Sequence, residues 1–493
     1  MAGNSAEPEE PKMREETPKD DSGTRTEHDS LGEIEIPAWA KWGAQTQRAI
    51  ENFPVSGIPL PEDLITCLAL IKKQAAEVNR GLNLLEPGIA EAIVRAAGEV
   101  AAGRWKDHFP IDVFQTGSGT SSNMNVNEVI ANRANEMLEI VSTSAGGAGA
   151  KSRRVHPNDH VNRGQSSNDV FPAAMHMAAR RSAARLALSL AHLEAALAGK
   201  AEEFARVVKL GRTHLQDAVP MTLGQEFSAY AAQVRTGRMQ LEACFPLLEE
   251  LPLGGTAVGT GLNAHPQYAE RVIARLATET GIPFRPAGNR FALMAGREAM
   301  VALAGACETI AVSLSKIADD LRLLSSGPRA GLAEISLPAL QPGSSIMPGK
   351  VNPVIPEMVL QVAAQVMGNR LAISIGGRHG PLELNMMMPM IAHNAMQAVA
   401  ILSAAVRLLA DKCVAGIVAD EPRCLAWVEQ SLALATPLAL QIGYERTAQL
   451  VRAAAAAGRT IREQAIFEKL LTREEAAELL DVRRMAEPDE GEA

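Results

Sequence analysis

Residues 343–357 read GSSIMPGKVNPVIPE and combine glycines, serines and a lysine in one polar stretch. A phosphate-binding loop of the Walker A type has four residues between its first glycine and the Gly-Lys pair, with Ser or Thr after the lysine. Here five residues separate Gly343 from Gly349, and Val351 follows Lys350. The spacing excludes this kind of nucleotide site, and the two glycines instead predict the hinges of a loop that closes over a smaller ligand.

Three further stretches share this polar, glycine-containing composition. In chain order we call them island 1, QTGSGTSSNMNVNE (115–128), island 2, VHPNDHVNRGQSSND (155–169), and island 3, GRTHLQDA (211–218); residues 343–357 are island 4. Each lies at the end of a predicted helix, where unpaired backbone N–H groups can bind an anion. Their neutral donors and single strong cation suit a small dianion better than a triphosphate. The donors are Ser118, Thr120, Asn125, Ser166, Ser167, Asn168, Thr213, Ser345, Lys350 and Asn352.

His214 and Ser344 are the candidates for proton transfer within the islands. Taken singly, Ser, Thr, Asn and Gly at helix ends are usually caps and turn formers, and His214 alone could be structural. The functional interpretation rests on the recurrence of four such islands in one chain. No His, Cys, Asp and Glu residues stand at metal-ligand spacing, so we expect neither a metal nor another cofactor.

The islands interrupt a chain that is helical in pattern. Of its 493 residues 47% are hydrophobic and only 3% aromatic, and Ala and Leu dominate the long segments. These long periodic runs predict an elongated bundle whose apolar faces extend to more than one side, and hence a homo-oligomer. The runs cover residues 171–207, 222–250, 291–325, 351–374 and 390–415.

Composition also limits the partners and the compartment. The net charge of −9 gives no reason to expect nucleic-acid binding. We see no apolar run of the roughly 20 residues that span a bilayer, and the charged N-terminus lacks a signal-peptide core. Five widely spaced cysteines predict reduced thiols in the core and a cytoplasmic location.

We expect five segments along the chain. They are a disordered tail (1–28), an N-terminal helical domain (29–164), a central long-helix domain (165–421), a small C-terminal helical domain (422–485) and an acidic tail (486–493).

The islands resemble the signature blocks of the class II fumarase and aspartase superfamily. GSSIMPGKVNP resembles its mobile signature loop, and TGSGTSSNMN, HPNDHVN, QSSND and GRTHLQDA resemble its other blocks, so that the similarity runs from about Glu27 to Met485. The resemblance implies an all-α, three-domain fold whose central bundles form a twenty-helix core in a homotetramer. It also implies active sites that each combine residues of three subunits, without a cofactor or metal.

Within the superfamily, TGSGTSSNMN, QSSNDVFP and HPNDHVN resemble the fumarase form, which implies reversible hydration of fumarate to (S)-malate. VNPVIPE and LRLLSSGPRAGL resemble the aspartase form equally well, so release of ammonia from aspartate is the alternative. A catalytically idle homologue is a further alternative, and the presence of the residues described next counts against it.

The resemblance also implies roles for individual residues. Ser344 takes a proton from the carbon beside a carboxylate, and His214, paired with Glu357, activates water or protonates the departing hydroxyl. The substrate-binding residues are Ser118, Gly119, Thr120, Ser166, Ser167, Asn168, Thr213, Ser345, Lys350, Val351 and Asn352. A second, non-catalytic dicarboxylate site comprises His156, Pro157, Asn158 and Asp159.

Overall fold

The computed structural model describes residues 23–144 and 154–486. The helices in these ranges are α1 Ala44–Asn52, α2 Glu62–Gly81, α3 Pro87–Ala101, α4 Thr120–Ser144, α5 Ser167–Glu203, α6 Leu223–Ala243, α7 Phe245–Leu248, α8 Tyr268–Thr280, α9 Arg290–Ala295, α10 Glu298–Leu324, α11 Val354–Gly377, α12 Met388–Lys412, α13 Glu421–Gln430, α14 Leu438–Ile442, α15 Tyr444–Ala457, α16 Ile461–Phe467, α17 Arg473–Leu479 and α18 Val482–Ala486. The predicted all-helical class is confirmed.

Short strands in the described ranges form only two-stranded sheets. The strands are β1 Thr24–Asp29, β2 Gly32–Pro37, β3 Val208–Thr213, β4 Gln216–Thr222, β5 Glu250–Leu251, β6 Arg285–Pro286, β7 Ile335–Ser336 and β8 Val418–Ala419. β5 and β6 pair in parallel, whereas β1 with β2, β3 with β4 and β7 with β8 pair antiparallel.

The five predicted long helices are α5, α6, α10, α11 and α12, and two of them are shorter than the sequence pattern suggested. The run 291–325 divides into α9 and α10 because Gly296 adopts an extended conformation between them. The run 222–250 ends at Ala243, and Pro246, which has no N–H to donate, lies in the first turn of the separate helix α7.

These five helices form a bundle in which sequence neighbours run antiparallel and α12 runs parallel to α5. α6 and α12 lie beside α5, α10 lies beside α6, and α11 packs between α10 and α12. Two contacts fix each direction. α5 meets α6 at Glu194–Arg235 and Phe204–Phe227, α6 meets α10 at Gly237–Ile310 and Tyr230–Asp320, and α10 meets α11 at Val301–Gly377 and Glu308–Arg370. α11 meets α12 at Gly376–Ile391 and Asn369–Gln397, and α5 meets α12 at Ser189–Ser403 and His192–Asp411.

The bundle therefore has two distinct ends. We call the end with the start of α5 the amino end and the opposite one the carboxyl end. α5 contains 37 residues, which at helical rise correspond to roughly 55 Å. The starts of α10 and α12 lie at the amino end, and the start of α11 lies at the carboxyl end, because α11 runs antiparallel to α10.

Two hydrophobic clusters hold the chain together. The larger joins α2, α3 and α4 to the five long helices, and the smaller joins Leu210 of β3 to apolar residues of α13–α17. All five cysteines are buried and unpaired. Residues 24–28, which we assigned to the disordered tail, instead belong to strand β1. Residues 1–22 and 487–493 of the predicted tails lie outside the described residues, and the other domain boundaries stay predictions.

Two bundle helices, α10 and α11, reach the length and apolar composition of a membrane span, a criterion that core helices of a bundle also meet. Both pack against other helices of the bundle, but only 28% of the apolar window of α11 is buried in this chain. Val312 on α10 is 53% exposed, and Leu371 on α11 is 57% exposed. These helices thus present apolar side chains that their own chain leaves uncovered.

Candidate active site

Islands 1 and 2 meet at the amino end of the bundle. The Thr120 hydroxyl lies 2.8 Å from the Ser118 hydroxyl and 2.7 Å from the Ser167 hydroxyl. Gly119 makes this approach possible: its φ is +74°, and a side chain there would place its Cβ 2.2 Å from the Phe171 ring. Three hydroxyl groups from two distant stretches of sequence therefore converge on one point.

Ser166 caps the start of α5 in a capping box. Its hydroxyl accepts a hydrogen bond from the Asn168 backbone N–H at 3.2 Å, and its own N–H donates to Asp169 at 3.0 Å. Ser167 lies in the first turn of the helix, where free N–H groups and the helix dipole favour an anion. Hydroxyl donors beside a helix start form a suitable cradle for one carboxylate of a substrate.

A glycine-rich segment that we did not single out from the sequence, GGTAVGTGLN (254–263), completes this region. The buried Asp169 carboxylate accepts hydrogen bonds from the N–H groups of Gly254 and Thr256, at 2.9 and 3.0 Å. The Asn168 side chain donates to the Ala257 carbonyl at 2.8 Å. Burial raises the pKa of Asp169 to about 6. The segment shares the glycines of the four islands but has fewer polar side chains, so its glycine content is the signal that could have identified it.

Island 1 also contacts the chain just before α12. Met388 donates its N–H to the Gly117 carbonyl at 3.0 Å, and a Cβ on Gly117 would lie 1.9 Å from the Met386 carbonyl oxygen. Asn125, which we counted among the donors, is buried and donates to the His108 carbonyl instead. It therefore stabilises the helix packing and cannot reach a ligand.

Island 3 forms the hairpin β3–β4 at the carboxyl end. His214 and Leu215 occupy the two-residue tip with φ of +56° and +58°, a conformation that glycine or asparagine adopts more easily. The His214 side chain is exposed, as is Thr213. Close to the tip, Arg212 of β3 donates a hydrogen bond to the fully buried Glu334 carboxylate at 2.7 Å. This ion pair ties the hairpin to the chain that leads into island 4.

Island 4 forms a loop before α11 that is closed by its own hydrogen bonds. The Gly343 N–H donates to the Lys350 carbonyl at 2.7 Å, and the Asn352 side chain donates to the Gly343 carbonyl at 2.9 Å. The Ser344 hydroxyl accepts from two backbone N–H groups, those of Ile346 at 3.2 Å and Met347 at 3.1 Å. Ser345, Lys350 and Val351 are exposed.

The single chain divides the predicted site residues between the two ends. Ser118, Gly119, Thr120, Ser166, Ser167 and Asn168 lie together at the amino end, whereas Thr213, His214, Ser344, Ser345, Lys350, Val351, Asn352 and Glu357 lie at the carboxyl end. Glu357 is half-buried in the first turn of α11, and within residues 23–144 and 154–486 it forms no hydrogen bond with His214. Since α5 separates the ends, the described chain does not bring all of the predicted site residues together.

The residues predicted for a second dicarboxylate site form an exposed π-helical turn, Pro157–Val161, before α5. His156 Nδ1 accepts hydrogen bonds from the N–H groups of Asn158 and Asp159, at 3.3 and 3.2 Å. His156 N–H in turn donates to His160 Nδ1 at 2.8 Å. His156 therefore caps this turn, and its binding role stays a prediction.

Comparisons with known proteins match almost the whole chain. A family model described as "Lyase" matches residues 32–368, and one described as "Fumarase C C-terminus" matches residues 434–487. The chain is 49% identical to a class II fumarate hydratase of Nitrosomonas europaea, over 94% of this chain and 99% of that protein. It is 50% identical to a class II fumarate hydratase of Mycobacterium tuberculosis, over 96% of this chain and 98% of that protein.

Solved structures agree. The class II fumarase of Schistosoma mansoni superposes with a TM-score of 0.90 at 41% identity, over 95% of this chain and 100% of that one. A structure described as fumarate lyase:delta crystallin from Brucella melitensis bound to cobalt gives a TM-score of 0.88 at 47% identity, over 94% of this chain and 100% of that one. The chain therefore belongs to the class II fumarase family of lyases.

Proposed function

We propose that this protein catalyses the reversible, stereospecific hydration of fumarate to (S)-malate, a reaction of the tricarboxylic acid cycle. The observation that carries the proposal is the identity of about half of all positions to class II fumarate hydratases along nearly the whole chain. All four islands lie within the matched chain, so the groups that the reaction requires are present.

The chemical difficulty is removal of a proton from the carbon next to a carboxylate. The carbanion is tolerable only when its charge spreads onto the carboxylate oxygens and meets fixed donors. We assign proton removal to Ser344, which is a poor base unless its alkoxide is stabilised. The N–H groups of Ile346 and Met347 already point at its oxygen and supply that stabilisation. Lys350, exposed on the same loop, supplies a positive charge for the developing dianion.

The other half of the reaction concerns the hydroxyl group. We assign activation of water, and protonation of the departing hydroxyl, to His214 at the tip of the hairpin. Its exposed position leaves the ring free to face a substrate and a Glu357 carboxylate brought by another chain. Ser118, Thr120, Ser167 and Asn168 would then orient a carboxylate at the amino end.

The separation of these groups within one chain supports a shared site in a homotetramer. A neighbouring chain that packs antiparallel along the bundle places its carboxyl end beside the amino end of the first. The uncovered apolar side chains of α10 and α11 suit such packing. Each site would then take residues from three subunits, as predicted from the resemblance. A cytoplasmic location also stays a prediction.

The direct test measures fumarate by its ultraviolet absorbance when the purified protein is given L-malate or L-aspartate. We expect fumarate from malate and none from aspartate. Fumarate from aspartate alone would establish the ammonia-lyase alternative, and no product from either would establish an idle homologue.

A further inference from the structure

A buried lysine lies beneath the amino-end hydroxyls. Lys72 on α2 is 0% exposed, and its ammonium group donates to the Asn162 side-chain oxygen at 2.8 Å and to the Gln165 side-chain oxygen at 2.9 Å. Both acceptors are neutral amides. Burial lowers the pKa of Lys72 to about 7, while the negative charge of Asp169 opposes that shift. Burial of the Lys72 ammonium group costs free energy of folding, which its two hydrogen bonds offset in part.

The acceptors of Lys72 belong to a network that joins three elements. The Asn162 side-chain oxygen also accepts from the Asn123 side chain at 3.3 Å, and the Asn162 side-chain N–H donates to the Gln165 carbonyl at 3.3 Å. Asn123 lies on α4, one turn after Thr120, and the Asn123 N–H bonds to Gly119. α2, α4 and the segment before α5 therefore meet around one amide group.

This network connects directly to the two sides of the hydroxyl cluster. Gln165 immediately precedes Ser166, so its side chain fixes the start of α5 relative to α2. Asn123 fixes the start of α4 in the same frame. The short contact between Thr120 and Ser167 requires these two helix starts to keep their mutual position to within a few tenths of an ångström.

We propose that Lys72 is a positioning residue for substrate binding: it holds the helix start with Ser118 and Thr120 against the helix start with Ser167 and Asn168. The proposal rests on the proposed function, because it assumes that these hydroxyls bind a substrate carboxylate. Lys72 itself does not reach the ligand. Without its ammonium group, Asn162 and Gln165 lose a shared partner, and the mutual position of the two helix starts is less firmly held.

The test compares full-length wild-type protein with Lys72→Met, which keeps most of the side-chain volume but removes the donors and the charge. For malate and fumarate we expect KM to rise by about 10-fold while kcat changes by less than about 3-fold, because binding geometry is lost and the groups that transfer protons are unchanged. The thermal unfolding midpoint is measured in parallel.

Two matched variants on α2 separate positioning from stability. Leu68→Ala creates a cavity in the core and should lower the unfolding midpoint without changing KM. Lys73→Met removes the neighbouring lysine, which forms a surface ion pair with Glu279, and should leave KM and stability near the wild-type values. A wild-type KM in Lys72→Met, or an equal rise of KM in Leu68→Ala, would overturn the proposal.

If Lys72→Met does not fold, Gln165→Ala decides the matter, because it removes one acceptor and leaves the lysine in place. We expect KM to rise by about 3-fold, and an unchanged KM refutes the positioning role. If the wild-type protein does not turn over malate, the proposed function fails on its own. Calorimetric binding of fumarate to wild-type and Lys72→Met protein then replaces KM. Equal affinity, or no binding to either, would contradict the proposal.

Discussion

At the scale of residues, the backbone around Ser344 supports its proposed role as the base. A serine hydroxyl is a weak base in water, but the Ser344 oxygen accepts hydrogen bonds from two loop N–H groups, those of Ile346 and Met347. Such fixed donors stabilise an alkoxide without reorganisation during the reaction. The hydrogen bond from the Gly343 N–H to the Lys350 carbonyl holds the loop in the shape that provides them.

Ser344→Ala is expected to lower kcat by at least about 100-fold, because it removes the proposed base and leaves the loop backbone intact. Steady-state kinetics with malate measure this effect, and light scattering checks that the assembly is unchanged. Gln341→Ala, an exposed change just before the loop, serves as the control and should retain activity. Near-normal turnover in Ser344→Ala would refute the assignment of the base.

His176 gives a prediction about stability. Its ring is buried on α5 and donates from Nδ1 to the Glu250 carbonyl at 2.8 Å, and burial lowers its pKa to about 4. The pKa of the ring in the unfolded chain is near 6.5. The folded state therefore has its full stability above about pH 6.5 and loses stability progressively as the pH falls toward the folded pKa of about 4. Between pH 7 and 5, this one group should remove about 2 kcal/mol of unfolding free energy per chain.

Urea unfolding of the wild type and of His176→Gln at pH 7 and pH 5 tests this prediction. Glutamine can donate to the same carbonyl but does not titrate, so its unfolding midpoint should fall less on acidification. His192→Gln, which changes an exposed histidine on the same helix, should follow the wild type. The same pH dependence in His176→Gln and wild type would contradict the prediction.

At the scale of elements, the β3–β4 hairpin carries the proposed acid–base residue, and two cations of β3 pair with a buried carboxylate outside the hairpin. Glu334 is fully buried and lies 2.7 Å from Arg212 and 3.3 Å from Lys209. Lys209 also pairs with Glu226 on α6 at 2.7 Å. Glu334 precedes island 4 along the chain, so this cluster sets the position of the hairpin relative to the loop.

Glu334→Gln should destabilise the hairpin by about 3 kcal/mol, because the half-buried Arg212 loses its carboxylate partner and the buried Lys209 keeps only Glu226. We expect faster amide hydrogen exchange across residues 208–222 and a lower kcat/KM for malate. Glu249→Gln, which breaks another buried ion pair with Arg180, is the matched control and should leave exchange in the hairpin unchanged. Unaltered exchange in the hairpin of Glu334→Gln would argue against this anchoring role.

At the scale of the whole molecule, the length of α5 separates two groups of the predicted site residues. The hydroxyl cluster lies at one end and the histidine and loop lie at the other, with a helix of 37 residues between them. No rearrangement of short loops can close a gap of roughly 50 Å. The proposed shared site therefore predicts that activity depends on how chains pack against one another.

Mixing inactive variants tests this dependence. A chain with Thr120→Val and Ser167→Ala has a defective amino end, and a chain with His214→Ala has a defective carboxyl end. Each should be nearly inactive alone, but co-expression should restore up to about a quarter of wild-type activity, because random assembly combines intact ends from different chains. No restoration would contradict shared sites.

Two further mixtures refine the result. Co-expression of Thr120→Val with Ser167→Ala should restore nothing, because these residues touch within one chain. Co-expression of His214→Ala with Ser344→Ala distinguishes two models. Restored activity means that the hairpin and the loop of one site come from different subunits, so that three chains build the site; no restoration means that two chains suffice.

The sequence by itself determined the helical class, the five long helices and the four islands. Periodicity and composition are local properties of the chain, so they can be recognised without knowledge of the fold. It did not reveal that Asn125 is buried, that α9 and α10 are separate, or that GGTAVGTGLN meets Asn168. Those facts depend on contacts between residues far apart in the chain.

Only the tertiary structure decided which islands share an end of the bundle. Islands 1 and 2 meet because the starts of α4 and α5 pack together around Gly119, and Arg212 of island 3 bonds to Glu334 in the chain that leads into island 4. The spacing of residues along the sequence does not show which islands lie together. Residues of one long helix can lie at opposite ends of the bundle, and helix packing can bring together residues that are far apart in the sequence. For the same physical reason, the buried Lys72 network became visible only once its three elements were packed.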